Sequence, residues 1–235
     1  MISIILPTYN EKENILSLIE SIFQTFSKIE NIKYEIIIVD DNSPDGTSRE
    51  LGKYQNKNKN ITLITRKDKR GLASAIKTGI LEAMGEHIVI MDTDFSHPPE
   101  FIKNMINVRE ESDFDVVIAS RYIKDGEMQT SKVKYLLSKF MNLLLGFILN
   151  LKIEDLTGGF FIIKKSLLNK VNLDKIFIGY GDYFFRLFYE LKKIKYSFRE
   201  IPFKYAKRKV GVSKTKTFKM GIDYIKAMVL IRFRK

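Results

Sequence analysis

The residues with the plainest chemical potential are Asp92-Thr93-Asp94, followed by Phe95-Ser96-His97-Pro98-Pro99-Glu100. They come directly after His87-Ile88-Val89-Ile90-Met91, an apolar and β-branched run of the length of a buried parallel strand. On extended backbone Asp92 and Asp94 project to the same side. Two carboxylates that close repel unless a positive charge lies between them. A hard divalent cation, Mg²⁺ or Mn²⁺, suits the pair, because it takes few carboxylates and completes its shell with water and phosphate oxygens. Taken alone, the same D-x-D also fits a solvated loop.

Positioning such a pair requires a strand behind it and further strands beside it, and the first half of the chain supplies them. Apolar runs at Ile2–Leu6, Tyr34–Val39, Ile61–Thr65, His87–Met91 and Asp115–Ser120 read as strands. Between them, Ile15, Leu18, Ile19, Ile22 and Phe23 repeat at helical spacing in a helix opened by Asn10 or Glu11. A helix capped by Thr47, one over 72–84 and one entered through Pro98 and Pro99 follow. Strand–helix alternation of this kind predicts an α/β fold with a parallel, doubly wound sheet. Pro7-Thr8-Tyr9-Asn10-Glu11, Asp40-Asp41, Asp92-Thr93-Asp94 and Arg121 all fall at strand carboxyl ends, where such sheets bind ligands. An aromatic face, carboxylates for base or ribose and a cation for phosphates would together hold a nucleotide. Neither G-x-G-x-x-G nor G-x-x-x-x-G-K-[ST] occurs, which argues against dinucleotide oxidoreductases and P-loop NTPases.

Composition narrows the chemistry further. The 235 residues contain no cysteine, which excludes disulfides, thiolate metal sites and a cysteine nucleophile. Two histidines, His87 and His97, are too few for a histidine-rich zinc site. The net charge of +12 is unevenly spread: residues 1–125 carry 16 Lys/Arg against 20 Asp/Glu, and residues 126–235 carry 24 against 8. A basic second half joined to an acidic first half predicts an anionic partner there. The chain opens in a strand-like segment with no signal-peptide pattern, which favours a cytosolic location.

Residues 131–151 are apolar around much of the helix circumference but interrupted by Lys139, Asn142 and Asn150, so they make a poor membrane span. They fit either a buried core helix or a face lying on lipid. Gly158-Gly159-Phe160-Phe161-Ile162-Ile163 reads as a strand whose glycines allow close approach, and Asp182 reads as the N-cap of an aromatic helix over 183–193. In Lys207-Arg208-Lys209-Val210-Gly211-Val212-Ser213-Lys214, Arg208 and Lys214 can flank a phosphate. A final helix-like stretch, 218–235, ends in Arg232, Arg234 and Lys235, which suits an anionic membrane surface.

Ile5-Leu6-Pro7-Thr8-Tyr9-Asn10-Glu11, Val39-Asp40-Asp41-Asn42-Ser43-Pro44-Asp45-Gly46-Thr47, Gly71-Leu72-Ala73-Ser74-Ala75 and Asp92-Thr93-Asp94 together resemble family 2 inverting glycosyltransferases of the GT-A fold. With Ala119-Ser120-Arg121-Tyr122, Thr157-Gly158-Gly159-Phe160-Phe161 and the 208–214 cluster, the chain is more closely similar to the polyprenyl-phosphate glycosyltransferases, among them the dolichol-phosphate mannosyltransferases. The resemblance implies one GT-A domain over 1–235, a Rossmann-like, mostly parallel sheet flanked by helices with C-terminal amphipathic helices. Residues 1–125 would form the nucleotide-sugar half and 126–235 the basic, acceptor- and membrane-facing half. Pro7, Tyr9, Glu11, Val39 and Asp41 would line the nucleoside pocket. Asp92, Thr93 and Asp94 would meet the donor diphosphate, with Asp92, Asp94 and Ser96 at the Mg²⁺ or Mn²⁺. Some relatives carry glutamine where this chain has Ser96. Arg121 would reach the sugar or a phosphate, and Arg208, Ser213 and Lys214 the acceptor phosphate. Asp94, Arg121, Arg208 and Lys214 would carry catalysis.

The implied partners are a nucleotide-sugar donor, a polyprenyl or dolichyl phosphate acceptor, the cytoplasmic face of a membrane met peripherally, and a small membrane-protein subunit. The implied reaction moves mannose from GDP-mannose to the lipid phosphate, whose anionic oxygen needs no general base. Alternatives are another donor (UDP-glucose or UDP-GlcNAc), or a soluble sugar or protein hydroxyl acceptor, the latter needing a base such as Asp182. A non-catalytic nucleic-acid binder is a distant third, since no zinc finger, helix-turn-helix or aromatic-basic RNA motif occurs; no nucleic-acid partner is expected.

Overall fold

The computed structural model describes residues 1–206 and 217–233. In chain order the elements are β1 (Ile2–Thr8), α1 (Ile15–Phe26), β2 (Tyr34–Asp40), α2 (Thr47–Gln55), β3 (Ile61–Thr65), α3 (Leu72–Glu82), β4 (His87–Ile90), α4 (Phe101–Ser112), β5 (Val116–Ser120), β6 (Glu127–Met128), α5 (Lys132–Leu149), β7 (Phe161–Lys164), α6 (Lys165–Leu168), α7 (Leu173–Ile176), α8 (Tyr183–Leu191), β8 (Phe198–Pro202), β9 (Lys204–Tyr205) and α9 (Thr217–Phe233).

Seven strands form one sheet in the order β3-β2-β1-β4-β7-β5-β8, and β6 pairs with β9 apart from it. Every neighbouring pair in the main sheet is parallel except those made by β7, which runs against both β4 and β5. The expected mostly parallel α/β sheet is therefore observed, with one reversed strand. The reversal follows from where the chain enters β7. The segment after α5 returns over the ends at which β4 and β5 finish, and Phe160 O accepts from Ala119 N at 3.0 Å as β7 begins.

Period-two alternation sends side chains to two cores, one on each face of the sheet. Ile4, Leu6, Ile36 and Ile38 pack with α1 and α4, through residues such as Leu18, Ile22, Ile102 and Met105. Ile5, Ile37 and Val39 pack on the opposite face with α3, α5, α8 and α9, through Ile76, Leu145, Phe188 and Met228. At Gly79 of α3 a Cβ would come within 2.6 Å of Ile5 Cγ2, so helix and strand meet there at a distance only glycine allows.

Three local expectations are corrected. The first helix starts at Ile15, because Glu11 O takes the amides of both Asn14 and Ile15 in a turn ahead of it. Gly46, at φ 89°, occupies the cap position of α2, and Thr47 does not cap it. The Thr47 hydroxyl instead donates to Asp45 Oδ1 at 2.6 Å and accepts from Glu11 N at 3.2 Å, tying the end of β1 to α2. Asp182 sits at the cap position of α8 but makes no capping bond to it; it accepts from Tyr180 N at 2.9 Å and from Arg186 Nε at 2.7 Å.

The helix over 132–149 is not a core helix. It buries only Asn142, Leu145 and Leu149, while Val133, Leu136, Leu137, Phe140, Leu143 and Phe147 are 63–83% exposed. It packs beside α9, which buries Tyr224, Ala227 and Met228 and exposes Ile222, Ile225, Val229, Leu230 and Phe233. Among the described residues, no helix is long and apolar enough to cross a membrane.

Candidate functional site

The strand order turns between β1 and β4, since β2 and β3 extend from one side of β1 and β4 opens the other. At the carboxyl ends of these strands lies a cavity of about 1050 Å³. This is the place where open α/β sheets bind ligands. Pro7, Tyr9, Glu11, Asp41, Asp92, Thr93, Asp94 and Arg121 all line it. Val39 does not; it is fully buried in the core on the α3 side of the sheet. Ser96 does not line it either and is 1% exposed. Arg208, Ser213 and Lys214 lie outside the described residues.

The residues expected on the nucleoside side are held by dense local bonding. Asp41 Oδ1 accepts from Arg66 Nε at 2.7 Å and Nη2 at 2.5 Å, and Oδ2 accepts from Gly71 N at 2.7 Å. The carboxylate thus pins the 66–71 turn against the end of β2. Glu11 Oε2 accepts from Asn14 Nδ2 at 2.8 Å. The Arg70 guanidinium lies over the Tyr9 ring, 5.4 Å from its centre. Tyr9 and Arg70 therefore present a flat, partly cationic surface to the cavity.

The D-x-D turn is braced from behind. His97 is buried, stacks on Phe160 at 4.7 Å, and accepts from Asp92 N through Nδ1 at 2.9 Å. An imidazole that accepts at Nδ1 carries its proton on Nε2. Burial lowers its pKa to about 4, with Asp94 opposing and Arg121 reinforcing the shift. Asp94 is buried to 7%, whereas the Asp92 side chain is 44% exposed toward the cavity. Asp94 Oδ1 accepts from Ser96 N at 3.0 Å and from Ser96 Oγ at 2.5 Å. The donor set facing the cavity here is therefore carboxylate oxygen, one side chain partly open and one fixed. That set fits a hard cation such as Mg²⁺ or Mn²⁺ that draws its other ligands from water and phosphate.

Arg121 reaches the cavity with its charge already balanced. Its Nε and backbone N donate to Asp155 Oδ2 at 2.8 and 3.0 Å, and Nη2 donates to Asp155 Oδ1 at 2.8 Å and Thr157 Oγ1 at 2.9 Å. Burial alone would lower its pKa, but the Asp155 charge and hydrogen bonds hold it above its ordinary value. Asp155 is fully buried, and its turn is secured by Glu200, which accepts from Glu154 N at 2.9 Å and Asp155 N at 3.1 Å. The glycines expected to admit substrate serve this packing too. Gly159 has φ 78°, and a Cβ there would sit 3.0 Å from the Tyr183 hydroxyl.

Several residues at the cavity were not legible in the sequence. Tyr183, Tyr205 and Tyr224 line it, each with a phenol pKa raised chiefly by burial and also by Asp92, that of Tyr205 to about 12. They stay protonated and able to donate to anionic oxygens. Lys134 and Ser138 of α5 line the cavity beside Leu137, Phe140 and Met141. Asp182 does not line the cavity.

The model of the family described as "Glycosyl transferase family 2" matches residues 3–171. The chain is 36% identical over 224 residues to a dolichol-phosphate mannosyltransferase of Pyrococcus furiosus, covering 92% of this chain and 59% of that protein. It is 38% identical over 120 residues to a dolichol-phosphate mannosyltransferase of Saccharomyces cerevisiae, covering 51% of this chain and 44% of the relative. The chain thus spans about three-fifths or less of the curated relatives it matches. Among solved structures, glucosyl-3-phosphoglycerate synthase from Mycobacterium tuberculosis in complex with Mn²⁺, UDP and phosphoglyceric acid superposes with a TM-score of 0.72 at 15% identity, covering 99% of this chain and 78% of that one. A complex of the same synthase with Mg²⁺ and UDP gives 0.66 at 15% identity, covering 99% and 79%. These likenesses give the GT-A fold.

Proposed function

The chain belongs to glycosyl transferase family 2, and from that premise we propose that it transfers mannose from GDP-mannose to a dolichyl or polyprenyl phosphate, inverting the anomeric carbon. The observation that carries this reading is a single cavity with a mixed lining: Asp92 and Asp94, together with the apolar Leu137, Phe140, Ile222 and Ile225 of α5 and α9. A soluble hydroxyl acceptor has no use for the apolar wall; a lipid phosphate does. The names of the relatives from Pyrococcus furiosus and Saccharomyces cerevisiae support the same donor sugar and acceptor class.

In this reading Tyr9, Glu11 and Asp41 bound the nucleoside subsite, and Asp92 and Asp94 would hold Mg²⁺ or Mn²⁺. When bound, the cation neutralises charge on the departing nucleoside diphosphate. The acceptor phosphate, with a second pKa of about 6, is already anionic at neutral pH. Its oxygen attacks the anomeric carbon in line, the new C–O bond forms as the bond to the diphosphate breaks, and no proton needs to be removed. Lys134 offers a cation to the acceptor, and Arg208 and Lys214 are proposed to join it. The buried Arg121–Asp155 pair orders the end of β5 beneath the reacting sugar. The rival mechanism, with a hydroxyl acceptor and Asp182 as base, is weakened because Asp182 does not itself line the cavity and accepts from Tyr180 N and Arg186 Nε.

The exposed apolar faces of α5 and α9, with Lys132, Lys134, Lys139 and Arg232 among them, suit the interface of an anionic membrane. We place the enzyme there peripherally, on the cytoplasmic face, with room for a small membrane-protein subunit. An Asp94→Ala variant tests the donor site. It should keep the wild-type circular dichroism and thermal midpoint while transfer falls by at least on the order of 10². Transfer within twofold of wild type would remove Asp94 from the mechanism.

A further inference from the structure

Ser96 occupies the position two residues past the second aspartate, where a side-chain oxygen could complete a cation's ligand set. The structure assigns it another task. We infer that Ser96 is a positioning residue, which locks the Asp94 carboxylate through its hydroxyl and backbone amide and does not touch the cation. The inference rests on the donor-site reading above and refines it.

Three observations carry it. The first is that the Ser96 hydroxyl has one proton, and that proton is directed to Asp94 Oδ1 at 2.5 Å; its backbone amide adds a second bond to the same oxygen at 3.0 Å. Both bonds converge on one carboxylate oxygen and so fix the rotation of the group, which defines what its other oxygen can present. Burial is the second: Ser96 is 1% exposed and does not line the cavity, whereas Asp92, Asp94 and Tyr205 do. A ligand role would require the hydroxyl to leave its enclosure and give up the bond to Asp94. Finally, the Ser96 carbonyl accepts from Ala206 N at 3.4 Å, next to Tyr205 in the chain. Tyr205 is in turn held by the edge of His97, at 5.8 Å between ring centres, and by the Arg121 guanidinium at 5.5 Å. Ser96 is thus clasped from the β9 side as well, and the brace behind Asp94 runs into the aromatic packing that also holds the Asp92 amide.

The test uses Mn²⁺ binding to the full chain in the presence of GDP, read by the loss of free-ion electron paramagnetic resonance signal. Ser96→Ala should weaken Mn²⁺ binding by about 10–100-fold, the range for groups that orient a metal ligand. The variant should remain folded by circular dichroism. Ser96→Cys separates positioning from ligation, and the cysteine-free background makes the readout clean. A thiol that ligated would bind Cd²⁺ as thiolate, with a thiolate-to-metal charge-transfer band. The inference expects no such band and a Mn²⁺ affinity weakened like that of Ser96→Ala. A charge-transfer band in Ser96→Cys, or unchanged Mn²⁺ binding in Ser96→Ala, would overturn the inference while leaving the donor-site reading intact. Failure of the wild-type chain to bind Mn²⁺ with GDP present would overturn both.

Discussion

Arg121 and Asp155 form a bidentate ion pair whose side chains are 7% and 0% exposed, so neither charge is served by water. Removing Asp155 leaves a guanidinium that cannot lose its proton and has lost both partner oxygens. Breaking a buried pair from one side costs about 3–5 kcal/mol, because the surviving charge is stranded. With a urea m-value of about 3 kcal/mol/M, near the top of the usual range for small proteins, the midpoint of Asp155→Ala should fall by roughly 1–1.7 M. The double variant Arg121→Met/Asp155→Leu should recover most of the loss, since replacing the whole pair with apolar groups is often neutral or stabilising. It should nonetheless be inactive, because the end of β5 would no longer be ordered by Thr157 and the 153–156 turn. The assay is equilibrium urea unfolding of Asp155→Ala beside wild type, with Arg121→Met, Asp155→Leu and their double variant analysed as a double-mutant cycle. An Asp155→Ala cost below about 1 kcal/mol would refute the argument, since it would mean that Arg121 has water or another anion within reach.

Further outcomes follow from other parts of the structure. Leu143→Glu/Phe147→Glu alters two exposed α5 residues that do not line the cavity; co-sedimentation with anionic vesicles should drop at least about tenfold while GDP binding stays within twofold, and undiminished vesicle binding would remove α5 from the membrane contact. Burial and the neighbouring Arg109 lower the His87 pKa to about 4. The unfolded chain therefore binds the extra proton first, so the His87 contribution to stability is present above about pH 6.5 and is lost as pH falls toward 4. Thermal unfolding of wild type and His87→Gln should converge by roughly 1 kcal/mol or less between pH 7.5 and 4.5, after allowance for partial solvent screening; a difference that does not change with pH would contradict the assignment. Gly79→Ala should destabilise by about 1–3 kcal/mol, because its Cβ would lie 2.6 Å from Ile5 Cγ2; a thermal midpoint at or above wild type would show that α3 can lift from the sheet.

The strands of the first half, the D-x-D at the end of β4 and the gathering of β-strand ends at one cavity were legible because they rest on local patterns: apolar runs, helical spacing and turn residues. What escaped depended on partners distant in the chain. Asp41 was readable as a strand-end acid, but its capture by Arg66, 25 residues on, was not. Arg121 was readable as a cavity residue, yet Asp155, 34 residues away, decides how its charge is used. Val39, which the resemblance placed in the nucleoside pocket, lies within β2 on the face of Ile37 and is sealed beneath α3, whereas Asp41, just past the end of that strand, reaches the cavity. The reversed direction of β7 was likewise set by where the segment after α5 lands, a tertiary fact with no local signature.

The central claim is that one cavity joins a nucleotide-sugar diphosphate to a lipid phosphate. Its most direct test incubates the full chain with radiolabelled GDP-mannose, dolichyl phosphate and Mg²⁺ or Mn²⁺, and follows label into the organic phase. The expected result is metal-dependent, lipid-dependent label in a mild-acid-labile product. Label that stays in the aqueous phase with every polyprenyl phosphate offered, while a soluble hydroxyl acceptor is glycosylated, would contradict it.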